Sequence, residues 1–568
     1  MPFAASSHCR ARLRRALAVL ALSVLVLVST ALAAETQPDA SVRGAHAMVV
    51  AETPEAAAAG VEILKAGGNA IDAAAAASLA TGVTHAASCG IGGGGFMLIY
   101  LASTGKFYAL DYRERAPLKA TATMFMRDGK PDEELARNGA LAIAVPGEIA
   151  GLDAALTRFG TMKFQRVAAP AVKLARDGFP LGTHLAGEIA RMAPQLARAP
   201  GLAAVFLKAD GTAPKPGDLI FQKNLADTIV RLGNKPADEF YHGDFAAALA
   251  GFIDAHGGIV STADLAAYQA VWREPLHRAY QGDEVYVMPP PSSGGVVLEM
   301  LGMLEPGHLG GLGVNSPPYL ARLIEVMRQG FIDREQYSDP AFVNVPIATL
   351  LSPKHINRAR DRALHHGGPA PTPAAAHDHG TANLAVADSA GNVVVLTTTI
   401  NTVFGSKLME PKTGIILNDE MDDFAVAPNV PNAYRLEGVA ANEIAPGKRP
   451  LSSMTPTIVV KNGKPILAVG GSGGPTIITG VLQVMLDVID FHLGARAAVD
   501  EPRIHEQAEP STVIVEEKMP LKTRSELEQM GYQIRVVPML GAVGAITISP
   551  GSLHGGADAR KGGMAAGY

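Results

Sequence analysis

With 568 residues, 48% of them hydrophobic and 18% charged, the chain is long enough to bury a large core and too apolar to be disordered. A net charge of −5 with no basic stripe excludes nucleic acid as an expected partner. The only cysteines are Cys9 and Cys89, so a chain that loses its first residues can form no internal disulfide.

The N-terminus reads as a secretory leader over residues 1–33. Arg10, Arg12, Arg14 and Arg15 precede an apolar run over 16–28, and Ala31-Leu32-Ala33 supplies the small-x-small cleavage pattern. The body is therefore expected outside the cytoplasm, periplasmic or secreted. No later run is long and apolar enough for a membrane span. Thr53-Pro54 is a helix start, with Thr as cap and Pro in the first turn. Gly67-Gly68 ends that helix. Asn69 then caps an alanine-rich helix over 70–79, with Asp72 near its positive end. Four glycines at 92–95 lead into a strand over 96–100, and Ser103-Thr104-Gly105 turns the chain into a second arm over 106–111. The glycine run lacks the Gly-Lys-Ser/Thr of a phosphate loop and reads as a site of close packing.

Helices are expected over 147–159, 166–176, 318–337 and 353–363, and a strand over 285–288 runs into PPPSSGG at 289–295. Residues 365–380 (HHGGPAPTPAAAHDHG) have no periodicity and read as an exposed linker. His377 and His379 could bind a metal ion, but in such a segment an incidental or processing role is the better reading, and no metal or other cofactor is expected. Beyond it the pattern is β-rich, with strands over 381–387, 393–399 and 415–418. Asn462-Gly463 is a hairpin turn between 457–460 and 465–469, because both residues tolerate positive φ. A glycine corner at 470–474 feeds a helix over 476–489, and a strand–helix–strand region closes the chain. Cys89 lies four residues after His85, and nothing local forces the two together, so both read as buried packing.

The linker stops at Gly380-Thr381. A threonine hydroxyl at such a junction can attack the preceding carbonyl, shift the acyl group from nitrogen to oxygen, and be freed by hydrolysis. Gly380 lets the backbone strain at little steric cost. The freed α-amine, with an ordinary pKa of about 7.7–8.0, can then serve as base for its own hydroxyl. A strand-opening threonine is by itself an ordinary strand former, and the surrounding text decides between the two readings. Asp111-Tyr112-Arg113-Glu114, PPPSSGG, Gly380-Thr381-Ala382, Thr399-Ile400-Asn401 and Phe404-Gly405-Ser406 stand in series with NDEMDDF at 418–424 and RPLSSMTP at 449–456. Gly473-Gly474, Pro502-Arg503 and Arg560-Lys561-Gly562-Gly563 follow. In these motifs, over nearly the whole mature chain, the sequence resembles the γ-glutamyltransferase family of N-terminal nucleophile hydrolases.

The resemblance implies a four-layer αββα fold of α+β class, built from a large chain (34–380) and a small chain (381–568) that arise by cleavage before Thr381. It makes Thr381 the nucleophile, Thr399 the second threonine that orients it, and Gly473 and Gly474 the oxyanion-hole amides. It gives Arg113 the donor carboxylate with Ser452 and Ser453, and gives the ammonium to Asn401, Glu420 and Asp423. Tyr434 falls in a lid loop over 428–450. The implied partners are a γ-glutamyl donor such as glutathione and an amino-acid or peptide acceptor. The sequence departs from the family where Asn383 replaces a usual His, Ala385 a usual Ser and Asp419 a common Asn; Glu420 stands where some members have Gln. The first two bear on processing rate and acceptor use. A glutaryl acylase or poly-γ-glutamate enzyme on the same scaffold, and an inactive binding protein, stay open as alternatives.

Overall fold

The structure, a computed structural model, describes residues 41–365, 380–427, 430, 432–436, 439–508 and 511–568. The expected leader, the linker histidines His377 and His379 and parts of the expected lid lie outside the described residues. Among those described, no helix is long and apolar enough to cross a membrane.

Two seven-stranded antiparallel sheets form the centre. One runs Met564–Gly567, Met48–Ala51, Ala382–Ala387, Val393–Thr399, Gly94–Leu101, Lys106–Tyr112 and Val271–Arg273. The other runs Val42–Gly44, Ser552–Gly556, Ala542–Ser549, Lys464–Ser472, Thr457–Lys461, Asp283–Val287 and Leu276–Tyr280. Both sheets combine strands from before and after the linker, so neither half has a complete core alone.

The period-two geometry of a strand sends successive side chains to opposite faces. In Ala382–Ala387, Ala385 and Ala387 join Val50, Phe96, Leu98 and Val395 against Ile458, Ala468 and Ile546 of the facing sheet. Leu384 and Val386 turn the other way, with Met97, Ile99 and Leu396, onto the helices Pro54–Lys65, Ala70–Thr84 and Phe164–Asp177. The helices Gly294–Leu304, Pro317–Arg334 and Thr476–Ile489 cover the second sheet from its own side. This is the expected αββα layering.

Local chemistry sets the elements. Thr53 accepts from the Ala56 N–H, and Asn69 with Asp72 forms a reciprocal capping box, each cap being worth about 1 kcal/mol. The alanine helix runs on to Thr84, five residues beyond expectation, because it is buried along its whole length and tertiary contact carries it past the amphipathic signal. The turn at Asn462-Gly463 has φ of +51° and +74°, as the hairpin reading requires. The segment 415–418 departs from expectation. Only Ile415–Ile416 is a strand, and it pairs with Met409–Glu410 outside both main sheets. The glycine run is a close-packing device: a Cβ at Gly93 would stand 1.9 Å from the Thr399 carbonyl oxygen.

Glu148 ties the helical layer to the strand that ends at Thr399. Fully buried, it accepts from the Ser78 hydroxyl at 2.6 Å and from the Thr398 hydroxyl at 2.8 Å. Burial pushes its carboxyl up from 4.5 to about 7, against the pull of those two donors. A carboxyl whose pKa is raised on folding adds stability that is complete below the unfolded value and lost as pH rises through the folded one. The thermal midpoint should therefore fall between about pH 5 and pH 8, and Glu148→Gln should flatten part of that fall. An identical slope in the variant would contradict the assignment.

Candidate active site

The site begins with a strand register. Ala382 pairs with Thr398 in the antiparallel ladder, so the next residues outward, Thr381 and Thr399, meet across the strand ends. Their hydroxyl oxygens are 2.9 Å apart, and both residues are buried. Thr399 also accepts the Asn401 N–H at 2.8 Å, which fixes its hydroxyl. The strand starts at Ala382, one residue later than expected, because Thr381 has φ +85°. Positive φ in a β-branched residue is strained backbone, held here by an N–H bond to the Ser88 carbonyl at 2.9 Å. On the other side of the junction a Cβ at Gly380 would stand 2.5 Å from the Asn401 carbonyl oxygen. Lys561, also buried, donates to the Thr381 carbonyl at 3.4 Å.

Thr381 and Thr399 open into a cavity continuous with solvent, whose walls include Arg113, Asn401, Glu420, Asp423, Tyr434, Ser452, Ser453 and Gly474. Eleven of the expected site residues thus converge here once Gly473, beside Gly474, is counted. Gly473 and Gly474 have φ of +121° and +62°, and among the described residues neither N–H donates a hydrogen bond. Tyr434 of the lid segment lies across the cavity. Its hydroxyl donates to Asn401 Oδ1, and a Cβ on Gly474 would meet its ring at 2.5 Å.

The charged wall differs from expectation. Arg113 and the acids Glu420 and Asp423 were assigned to opposite ends of a ligand, yet in the structure they are partners. Arg113 Nη1 donates to Glu420 Oε1 and Nη2 to Asp423 Oδ2, with the Pro450 and Leu451 carbonyls each at 3.4 Å. Buried ions need counter-ions, and these three groups supply them for one another. The two acids hold Arg113 in its charged form. Burial pushes both carboxyls upward while Arg113 pulls them back. Glu114, fully buried 3.8 Å from Arg113, has its carboxyl pushed up by burial, with Arg113 opposing the rise. Among the described residues Glu420 Oε2 has no hydrogen-bond partner.

Asn383 and Ala385 do not line the cavity. Asn383 faces the second sheet, where its side chain lies against Gly470 and Gly544, and Ala385 belongs to the inter-sheet core. Asp419 accepts from the Thr402 N–H and hydroxyl and is 3.7 Å from Lys407, a structural placement. His85 stacks on His184 with ring centroids 5.0 Å apart, and buried Cys89 is part of the packing as expected. Sequence reasoning missed Arg334 and Phe331, which line the cavity three residues apart on one helix face. Nothing local distinguishes Arg334 from the other arginines of that helix.

Comparison with known proteins agrees with this geometry. Residues 56–568 match the family model described as Gamma-glutamyltranspeptidase. The chain is 39% identical over 535 residues to a glutathione hydrolase proenzyme of Escherichia coli (strain K12), covering 92% of this chain and 91% of that protein. It is 39% identical over 552 residues to the glutathione hydrolase proenzyme of Bacillus subtilis (strain 168), covering 92% of each. Among solved structures, a cephalosporin acylase from Bacillus halodurans superposes with a TM-score of 0.84 at 30% identity, covering 94% of this chain and 99% of that one. A gamma-glutamyltranspeptidase from Pseudomonas nitroreducens gives 0.52 at 37% identity, covering 57% of this chain and 95% of that one. The chain belongs to the gamma-glutamyltranspeptidase family.

Proposed function

We propose that the chain is a γ-glutamyltransferase and glutathione hydrolase that cleaves its own Gly380–Thr381 bond and then uses Thr381 as an N-terminal nucleophile. The observation that carries this reading is the strained Thr381, its hydroxyl 2.9 Å from Thr399, opening into a cavity walled by paired acids and a guanidinium. In maturation, Thr381 Oγ attacks the Gly380 carbonyl carbon and the acyl group passes from nitrogen to oxygen. Water then hydrolyses the ester, which releases the Gly380 carboxylate and the Thr381 amine. The large chain would be residues 34–380 and the small chain 381–568, held together by the interleaved sheets. Removal of the leader at 1–33 would leave the mature enzyme periplasmic or secreted.

In turnover, the Thr381 amine takes the hydroxyl proton as Oγ attacks the donor's γ-carbonyl. Thr399 accepts the Asn401 N–H, which leaves its own proton to donate to Thr381 Oγ and keep that oxygen oriented. The N–H groups of Gly473 and Gly474, free in the structure, are suited to the developing oxyanion. The leaving amine, cysteinylglycine in the case of glutathione, departs with the proton held by the Thr381 amine. Water then gives glutamate, or an acceptor amine gives a new γ-glutamyl amide. The donor's ammonium goes to Asn401, Glu420 and Asp423, and its carboxylate to Arg113, Ser452 and Ser453. Tyr434 closes the cavity above them.

The likeness to a cephalosporin acylase raises a second acyl group, a glutaryl chain that has no ammonium. The acids of the site speak against it. Without an ammonium, buried Glu420 and Asp423 gain nothing from the ligand while losing what water remains, at about 1–3 kcal/mol per group. A γ-glutamyl anilide should therefore turn over at least about a hundredfold faster, in kcat/KM, than the matching glutaryl anilide. Glycylglycine at mildly alkaline pH should raise anilide release further. Comparable rates for the two donors would overturn the γ-glutamyl reading and leave Thr381 untouched.

The crowding at Gly380 yields a separate expectation for maturation. Gly380→Ala places a methyl group against the Asn401 carbonyl, an overpacking that commonly costs 1–3 kcal/mol. Conversion to two chains on a denaturing gel should slow at least about fivefold. Processing at the parental rate would show that the junction is looser than described.

A further inference from the structure

The cavity holds a second guanidinium to which the reading above gives no task. Arg334 closes the helix Pro317–Arg334 and lines the cavity with Arg113, Ser452 and Ser453. It is 7% exposed. Its Nε donates to Ser293 Oγ at 2.9 Å and its Nη2 to Ser453 Oγ at 3.2 Å. Both partners are neutral hydroxyls, and among the described residues no carboxylate pairs with it. Arg113, in contrast, is saturated by Glu420 and Asp423. Burial pushes the Arg334 pKa down to about 10, with Arg113 adding to the fall and Asp423 opposing it, so the group remains a cation at neutral pH.

A buried cation with only hydroxyl partners is incompletely compensated, and an anion delivered to it gains more than one delivered to an already paired arginine. Ser453 is both the hydroxyl that Arg334 bonds and one of the two proposed for the donor carboxylate. A carboxylate on Ser453 is therefore within reach of Arg334 Nη2.

We propose that Arg334, together with Ser453, binds the α-carboxylate of the γ-glutamyl donor and makes the enzyme select donors that carry it. This rests on the γ-glutamyl reading and extends it. The donor brings one negative and one positive group. Its ammonium shares Glu420 and Asp423 with Arg113, and Arg334 adds beside Arg113 a second positive charge at the carboxylate end, one that no carboxylate of the described residues already pairs. Charges then alternate around the bound amino acid, and each buried ion faces an opposite one.

The test uses two donors that differ only in that carboxylate, γ-glutamyl anilide and 4-aminobutyryl anilide, with wild type, Arg334→Gln, Arg334→Lys and Arg113→Ala. Gel and circular dichroism first establish that each variant folds and yields two chains. Wild type should prefer the γ-glutamyl donor at least about a hundredfold in kcat/KM. Arg334→Gln should lose at least about thirtyfold on the γ-glutamyl donor and less than about threefold on the other, so the preference collapses. Arg334→Lys should fall between, because an ammonium keeps the charge and loses the fork. Equal losses on both donors would reduce Arg334 to a brace for Ser293 and Ser453 and overturn the proposal. If Arg334→Gln does not mature, Arg334→Lys decides alone, by a preference that shrinks at least about fivefold or stays as in wild type. A wild type without preference refutes the γ-glutamyl reading itself. A preference lost in Arg113→Ala and kept in both Arg334 variants refutes only the Arg334 assignment.

Discussion

The register between the strands Ala382–Ala387 and Val393–Thr399 is the constraint on which the site depends. Because Ala382 stands opposite Thr398, Thr381 and Thr399 face each other where the ladder ends, and their hydroxyls meet. A slip of one residue would reverse the face of every side chain on the strand and separate the pair. The surroundings make such a slip costly. Leu384 and Val386 fill the helical side and Ala385 and Ala387 the inter-sheet side, so neither face accepts the other's set. Glu148 fixes the Thr398 hydroxyl from behind, and Gly93 lets neighbouring backbone close on Thr399 without a clash. Chemistry at Thr381 is thus positioned by packing that extends through both halves of the chain.

Around that pair the electrostatics are self-sufficient only in part. Arg113, Glu420 and Asp423 neutralise one another, at the cost of desolvating the buried Arg113 and Glu420. A ligand that carries both an ammonium and a carboxylate can enter this cluster by exchange, with each of its charges replacing one that the protein had supplied. A ligand with only one charge leaves a group behind without a partner. Selectivity for an α-amino acid head group follows from that asymmetry and requires no large movement of the walls. Tyr434, bonded to Asn401 and packed on Gly474, joins two sides of the cavity.

Much of this was legible in the sequence, and the rest was hidden for identifiable reasons. Helix starts at Thr53 and Asn69 and the turn at Asn462-Gly463 follow from local hydrogen bonding and backbone preference, and they appear where the residues place them. The central strands could be located as short apolar runs, but their faces could not, because both sides are buried and no alternation remains to be read. The run at 415–418 holds a shorter strand than read, Ile415–Ile416, for the same reason: hydrophobicity marks burial, and here the burial is outside the main sheets. Thr381 and Arg113 were found through motifs. Their environments were not, since Arg113 and Glu420 lie 307 residues apart and their pairing depends on the fold. Arg334 had no motif among those recognised and looked like any helical arginine. Asn383 and Ala385 were suspected because they follow the nucleophile closely, yet the strand period turns their side chains into the core between the sheets.

The claim at the centre of the account is that one atom, Thr381 Oγ, first cuts the chain and then carries the acyl group. Mass spectrometry of the purified protein, before and after a rapid quench with a γ-glutamyl donor, tests it most directly. The account predicts a smaller chain that begins Thr381-Ala382-Asn383 and gains a single γ-glutamyl ester on Thr381 in the quenched sample, while Thr381→Ala stays one chain and gains none. A different N-terminus, an acyl group on another residue, or two chains from Thr381→Ala would contradict it.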